Sequence, residues 1–271
     1  MNATLYSLQP GRTALLISLP HVGTQIPEEL RGGYTPEALA LADTDWHLER
    51  IYDFAAELGA SLLVPRLSRY VIDLNRPPLD EPLYEGANNT ELCPTRSFSG
   101  EPLYRPGCAP AAAEIARRRR ACWEPYHEAL RKELDRLRGA HGHALLLDGH
   151  SIRSQLPWLF AGTLPDLNLG TANGHSCAPQ LRMALARLLA AQERYTQVVD
   201  GRFRGGYITR QYGRPQAGIH AVQMEMCWRC YMREEPPYAI DEERARPLRA
   251  LLRQFCATLL SWKPSHAQAN P

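Results

Sequence analysis

The sequence predicts an α/β fold in a single domain, because of its length, its fully apolar segments and the alternation of these segments with helices. The chain has 271 residues, of which 44% are hydrophobic, so it can bury a substantial core. Short runs that are apolar at nearly every position, such as 13–19, are typical of strands buried on both faces. Helical segments alternate with these runs, so we expect a sheet with helices on both faces.

Predicted strands and helices follow one another along the whole chain. Short apolar runs closed by turn-forming residues predict strands at 13–19, 61–64, 70–74, 144–147, 198–199, 206–209 and 218–226. Longer segments predict helices at 43–58, 111–137, 179–194 and 241–262. Asp43 or Thr44 is expected to cap the first helix, and Pro125 is expected to break or restart the second.

The long segment 77–110 is rich in proline, glycine, asparagine and serine and shows little periodicity. It is too long for an ordinary connection, and we interpret it as a loop that covers a substrate. The polar segment 263–271 is expected to be a frayed tail without function. No linker or internal repeat divides the chain, so one domain is expected over 1–271.

Charge and hydropathy exclude several classes of partner. The formal net charge is +2, so nothing favours a nucleic acid or a membrane surface, and a small-molecule partner is expected. No run approaches the roughly 18 apolar residues of a membrane-spanning helix, and the first residues lack the pattern of an export signal. Seven scattered cysteines do not form a disulfide pattern. We therefore expect a cytoplasmic protein with reduced thiols, and its oligomeric state is not specified.

Two histidines follow apolar strands, where open α/β sheets bind ligands. His21 follows the first predicted strand and His150 follows the fourth, each near a glycine. Two imidazoles and one carboxylate, with a fourth position left to water, form a catalytic zinc site. Asp45 and Asp148 are both candidates for the carboxylate. A single histidine in a loop is more often a hydrogen-bonded or surface residue, so it is the pair that favours a metal.

Glu225 is the candidate general base. It lies in the apolar run 218–226, where alternation places it on the same face as Gln223. A carboxylate in such a strand loses solvation, so its pKa rises and it becomes suited to exchange a proton with water and a leaving amine. A salt-bridged glutamate at a sheet edge would give the same pattern, and that alternative stays open.

Arginines near predicted strands suggest that the substrate carries carboxylates. Arg69 and Arg76 flank the run 70–74, and Arg210 follows the run 206–209. A guanidinium group binds a carboxylate through two parallel hydrogen bonds. The alternative is that these arginines form structural ion pairs, for example with Asp73.

Eight strings, in order along the chain, carry a family resemblance. They are SLPHVG at 18–23, DTD at 43–45, SRYVIDLNR at 68–76, DGHS at 148–151, GTANG at 170–174, GGYITR at 205–210, YGRP at 212–215 and HAVQME at 220–225. This set resembles the N-formylglutamate amidohydrolase family over most of the chain. The resemblance implies a central mixed sheet flanked by helices. This architecture is similar to that of the zinc carboxypeptidases and is of the phosphorylase/hydrolase-like type.

The resemblance also implies an activity and a set of site residues. The reaction is hydrolysis of N-formyl-L-glutamate to formate and L-glutamate, in a route of histidine degradation. The cofactor is Zn²⁺ or another divalent metal. Zinc carboxypeptidases carry a glutamate three residues after the first histidine, but Thr24 stands there, so the third ligand must come from elsewhere. The implied metal ligands are His21, Asp45 and His150, with His47 and Asp148 as alternatives to Asp45. The implied general base is Glu225. The implied substrate-binding residues are Arg69, Asn75, Arg76, Arg210 and His220.

Two other functions compete with this interpretation. One is a zinc amidohydrolase for another N-acyl amino acid, since arginines recognise any dicarboxylate. The other is a non-catalytic dicarboxylate-binding protein. The presence of His21, His150 and Glu225 together argues against the second.

Overall fold

A mixed sheet of seven strands forms the centre of the protein in the computed structural model, which describes residues 5–82 and 88–264. The strands are β1 (Tyr6–Gln9), β2 (Leu15–Ser18), β3 (Ser61–Pro65), β4 (Ala144–Ile152), β5 (Leu167–Gly170), β6 (Gln197–Val199) and β7 (Ile219–Cys227). Their order across the sheet is β1-β3-β2-β4-β7-β5-β6. The central strands β3, β2, β4 and β7 are parallel, whereas β1 and the β5–β6 pair run in the opposite direction. The predicted α/β class, with a mixed sheet flanked by helices, is confirmed.

Helices cover both faces of the sheet. They are α1 (Glu28–Arg31), α2 (Leu48–Ile51), α3 (Ala112–Arg118), α4 (Glu124–His141), α5 (Pro179–Ala190), α6 (Tyr207–Tyr212) and α7 (Glu242–Ser261). Alternate residues of β2 face opposite sides, so Leu16 packs in the core with α4, while Leu15 and Ile17 pack in the core with α5 and α7. Burial on both faces explains why the central strands are apolar at successive positions.

Two predicted strands are wrong. Residues 70–74 form turns, in which Ile72 and Leu74 reach the core while Asp73 is directed into the polar site described below. Residues 206–209 begin α6, because the backbone N–H groups of Gly206 and Ile208 donate to side chains and not to a neighbouring strand. Conversely, the short strands β1 and β5 carry no strong signal and were not expected.

The predicted helices differ from the observed ones at their ends. Within 43–58 only α2 and a 3₁₀ turn at 53–55 form, since His47 adopts a left-handed conformation with φ of 63° and delays the helix. Pro125 does not break the second helix: it lies in the first turn of α4, where its missing N–H is not needed. A π turn at 119–123 joins α3 to α4. Helix α7 begins after Asp241, whose side chain accepts hydrogen bonds from two backbone N–H groups.

Strand β4 is longer than predicted, and this extension builds the site. The strand continues through 148–152, so His150 lies within it and not beyond its end. Asp148 and His150 share the face of Leu146, and Gln223 and Glu225 share the face of Ala221 on the neighbouring strand. The register pairs 148 with 223 and 150 with 225. Polar residues therefore replace apolar ones at the carboxyl ends of two central strands.

Some expectations concern segments outside the described ranges. Of the expected tail, 265–271 lies outside the described residues, and so does 83–87 of the expected covering loop. The described parts of 77–110 contain no helix and only isolated bridges, one between Tyr104 and Tyr34 and one within the segment between Arg96 and Pro102. Among the described helices, none combines the length and apolar character needed to span a bilayer.

Candidate active site

Three side chains from distant parts of the sequence converge on one point. His21 follows β2, Asp45 precedes α2 and His150 lies in β4, and their potential ligand atoms all lie within 4.8 Å of one another. Asp45 Oδ2 is 3.2 Å from His150 Nδ1 and 3.7 Å from His21 Nδ1. All three residues are at most 3% exposed, and His21 Nδ1 has no hydrogen-bond partner in the described part of the chain. Two imidazole nitrogens and a carboxylate oxygen form a donor set suited to zinc.

In each histidine, the ring nitrogen that faces away from Asp45, Nε2, contacts a second carboxylate. Asp73 Oδ1 is 2.7 Å from His21 Nε2, and Asp148 Oδ2 is 3.1 Å from His150 Nε2. Such partners fix the tautomer and the ring orientation of a metal-binding histidine, and here they direct both Nδ1 atoms towards Asp45. Burial alone would raise the pKa of Asp45, but the hydrogen bond with His150 and the nearby His21 ring lower it to about 2. Asp45 is therefore ionised, as a ligand must be.

The two alternatives for the third ligand lie elsewhere. Asp148 is on the Nε2 side of His150, behind the ring with respect to Asp45. His47 Nε2 is 2.7 Å from the backbone oxygen of Tyr238. Of the three candidates, Asp45 is the one that the structure groups with His21 and His150.

Glu225 lies beside this group. It is opposite His150 in the β4–β7 register, is 6% exposed and lines the cleft that contains the three residues. Burial raises the pKa of Glu225 to about 8. Gln223 Nε2 donates to Glu225 Oε2 over 3.2 Å. A carboxylate with a raised pKa, next to a potential metal site, can both accept and release a proton near neutrality.

The predicted substrate-binding arginines have different positions. Arg69 and Arg76 line the cleft, but Arg69 is buried and its Nη2 donates to Asp73 Oδ2 over 2.6 Å, so it makes the structural ion pair considered as the alternative. Arg76 donates to the backbone and hydroxyl oxygens of Thr90. Arg210 is exposed on α6 and is not among the cleft-lining residues, because its segment is helical and not a strand that ends at the cleft.

His220 and Asn75 also differ from expectation. His220 is on the opposite face of β7 from Glu225, since the two are an odd number of residues apart. Its Nδ1 accepts from Ala178 N, and its ring packs edge-on against Trp262 outside the cleft. Asn75 does line the cleft, but its Nδ2 is 2.9 Å from His150 Nε2, so it contacts a candidate ligand directly.

The cleft wall contains residues that the sequence analysis missed. Arg202 and Phe203 line it, and the guanidinium carbon of Arg202 is 5.5 Å from the Phe203 ring centre. The available signal was an arginine beside an aromatic residue just before the glycine pair 205–206. From the segment 77–110, residues 88–90 and Phe98 line the cleft, so the described parts of this segment do reach the site.

Comparison with known proteins identifies the family. Residues 13–232 match the family model described as N-formylglutamate amidohydrolase. The chain belongs to this family. The resemblance drawn from the eight strings is confirmed, and the protein is an enzyme of the amidohydrolase class.

Four known proteins are similar to this chain over nearly its whole length and nearly their own. Two curated proteins called N-formylglutamate deformylase, from Pseudomonas putida and Pseudomonas aeruginosa, are each 50% identical over 94% of this chain and 96% of their own length. A crystal structure of N-formylglutamate amidohydrolase from Ralstonia eutropha matches with a TM-score of 0.74 and 25% identity, covering 94% of this chain and 98% of that one. A gene product of Agrobacterium tumefaciens, 18% identical with a TM-score of 0.74, covers 96% of each chain and shares the fold.

Proposed function

We propose that this amidohydrolase cleaves the formamide bond of N-formyl-L-glutamate to give formate and L-glutamate, with a divalent metal ion, zinc first, held by His21, Asp45 and His150. The buried cluster of His21 Nδ1, His150 Nδ1 and Asp45 Oδ2 carries this proposal. The deformylase name of relatives that are 50% identical supports the substrate. The proposal includes the role that the family resemblance implies, a step of histidine degradation.

The donor set fits a catalytic metal. His21 Nδ1 is a buried nitrogen without a hydrogen-bond partner in the described structure, and such an atom is costly unless something binds it. Two histidines and one carboxylate leave a fourth tetrahedral position for water or substrate. When bound, the ion would polarise the formyl carbonyl and lower the pKa of water.

Glu225 would act as the general base and then as the general acid. Its ionised carboxylate takes a proton from the attacking water, and the new C–O bond forms as the carbonyl π electrons move onto oxygen. When the C–N bond breaks, Glu225 returns the proton to the departing glutamate nitrogen, so no net proton is consumed at this residue. Burial raises the pKa of Glu225 above that of an ordinary carboxylate, which favours its acceptance of the proton from water.

Arginines of the cleft would hold the glutamate carboxylates. We assign this role to Arg76 and Arg202, which line the cleft from opposite halves of the sequence. Arg69 instead stabilises Asp73, and through it the ring of His21. Arg210 and His220 lie outside the cleft lining and are not assigned a role in binding.

Release of glutamate from three substrates tests the proposed specificity. N-formyl-, N-acetyl- and N-succinyl-L-glutamate are compared at equal concentration with the zinc-loaded enzyme. We expect rapid turnover of the formyl compound and at least about 100-fold slower turnover of the other two, because the carboxylate contacts fix the depth at which the acyl group lies. Equal turnover of the acetyl compound would favour an amidohydrolase of wider acyl range. Tight binding without turnover would favour a dicarboxylate-binding protein.

A further inference from the structure

Gln223 is placed where it can control the carboxylate of Glu225. Both side chains project from the same face of β7, both line the cleft, and they are 3% and 6% exposed. Gln223 makes two hydrogen bonds in this buried position: one with Glu225 Oε2 and one with the backbone of Gly206. A buried amide with two polar partners has a defined orientation, which can be deduced from the chemistry of those partners.

The backbone N–H of Gly206 determines the orientation of the Gln223 amide. This N–H can only donate, so the atom 2.7 Å from it must be the oxygen, Oε1. The amide nitrogen then faces Glu225 Oε2 at 3.2 Å, and this nitrogen can only donate. A flipped amide would lose both bonds. The Gly206 contact therefore ensures that Gln223 presents a donor to Glu225.

The segment that contains Gly206 is itself held against the metal site. Asn75 Oδ1 accepts from Ile208 N over 2.8 Å, which by the same reasoning directs Asn75 Nδ2 towards the Asp148 carboxylate, to which it donates over 3.3 Å. A Cβ atom at position 206 would overlap the Asn75 amide, so only glycine allows this close approach. The start of α6 is thus attached to β4 through Asn75 and to Glu225 through Gln223.

We infer that Gln223 is a positioning residue for the reaction, which holds Glu225 Oε2 through its amide nitrogen and leaves Oε1 to transfer the proton. This inference rests on the proposed function, in which Glu225 is the general base. Arg202 and Phe203, on the cleft wall, lie only a few residues before Gly206, so the same amide links the substrate-binding wall to the base. Without the donor, the Glu225 carboxylate loses its fixed orientation, while the metal ligands and the arginines keep their places.

Two substitutions separate the two bonds of Gln223. Gln223→Glu keeps an acceptor for Gly206 N–H but replaces the fixed amide donor by a second carboxyl group, which must share a proton with Glu225, and Gln223→Met removes both bonds. We expect each variant to lower kcat about 10- to 100-fold with zinc content unchanged. KM should stay within about twofold of the wild-type value for Gln223→Glu, which keeps the Gly206 bond, and should rise further for Gln223→Met, which also releases the segment that leads to Arg202. Gln180→Glu, the same change at an exposed position of α5, is the matched control and should leave kcat and KM unchanged.

A double-mutant cycle with Glu225→Gln distinguishes positioning from a general structural role. If Gln223 acts through Glu225, adding Gln223→Met to Glu225→Gln should not lower the residual kcat further. The same fold-loss in both backgrounds would overturn the inference, and so would a kcat of both Gln223 variants within twofold of wild type. Loss of zinc from both variants would also overturn it, since the role would then be structural. A wild-type enzyme that releases no formate would instead refute the proposed function.

Discussion

Replacement of Asp73 by asparagine should weaken metal binding without removing a ligand. Asp73 is fully buried and accepts hydrogen bonds from His21 Nε2 at 2.7 Å, from Asn75 N at 2.8 Å and from Arg69 Nη2 at 2.6 Å. An asparagine of the same shape can retain the first two bonds through its oxygen. It loses the negative charge that makes His21 Nδ1 a stronger donor to a metal.

The contacts of Asp73 predict how far Asp73→Asn lowers the metal affinity and the folding stability. Loss of a carboxylate behind a metal-binding histidine weakens metal affinity about 10- to 100-fold, or about 1.4 to 2.7 kcal/mol. The buried Arg69 charge also loses its closest partner, which costs about 3 to 5 kcal/mol of folding stability. We expect the lower end of that range, because Asp45 and Asp43 also attract Arg69.

Zinc titration against a competing chelator separates these effects, with the free energy of unfolding measured in urea on the same variants. Asp200→Asn is the matched control, since Asp200 also pairs with an arginine, Arg182 at 2.9 Å, but lies outside the cleft lining. We expect the control to lose stability and to keep its zinc affinity. If Asp73→Asn is destabilised but binds zinc as tightly as the wild type, the assigned role of Asp73 is refuted.

Three further predictions concern catalysis, binding and stability. Glu225→Gln should keep its zinc and its KM but lose about 10²- to 10⁴-fold in kcat, and kcat within tenfold of wild type would exclude Glu225 as the base. Arg202→Ala should raise KM about 10- to 100-fold, whereas Arg210→Ala should leave KM within about twofold, and the reverse result would show that the wrong arginine was chosen. Burial lowers the pKa of His127 to about 3, while the unfolded value is 6.5. Between these two pKa values the unfolded state therefore binds a proton at His127 that the folded state does not bind. The free energy of unfolding keeps its full value above pH 6.5 and decreases as the pH falls towards the lower pKa, by up to about 4 to 5 kcal/mol. Urea unfolding of His127→Gln should show a weaker loss over this range, and equal losses would contradict the assignment.

The central strands could be predicted from the sequence because their burial leaves a strong local pattern. β2, β3 and the first halves of β4 and β7 are mostly apolar at successive positions, since these strands are covered on both faces. β1 has only four residues at the edge of the sheet, with alternating partial exposure, so it gives little signal. α6 was mistaken for a strand because its first N–H groups bond to Asn75 and Gln223, which are distant in sequence.

The candidate site was predictable where it depends on strand order and face. His21 and His150 were found because parallel strands bring their carboxyl ends together, and alternation placed Glu225 on the face of Gln223. The choice among Asp45, Asp148 and His47 depends on loop geometry, which no spacing in the sequence reveals. The same applies to Arg202, whose position in the cleft follows from how the 200–206 segment approaches Asn75 and Gln223.

Formate release from N-formyl-L-glutamate, before and after metal removal, tests the central claim most directly. The purified enzyme is assayed as isolated, after dialysis against a chelator, and after addition of stoichiometric zinc. We expect activity to be lost with the chelator and regained with zinc, and we expect His150→Ala to stay inactive in all three states with little bound zinc. Full activity in the chelated, metal-free enzyme would contradict the assignment of His21, Asp45 and His150 as the ligands of a catalytic metal.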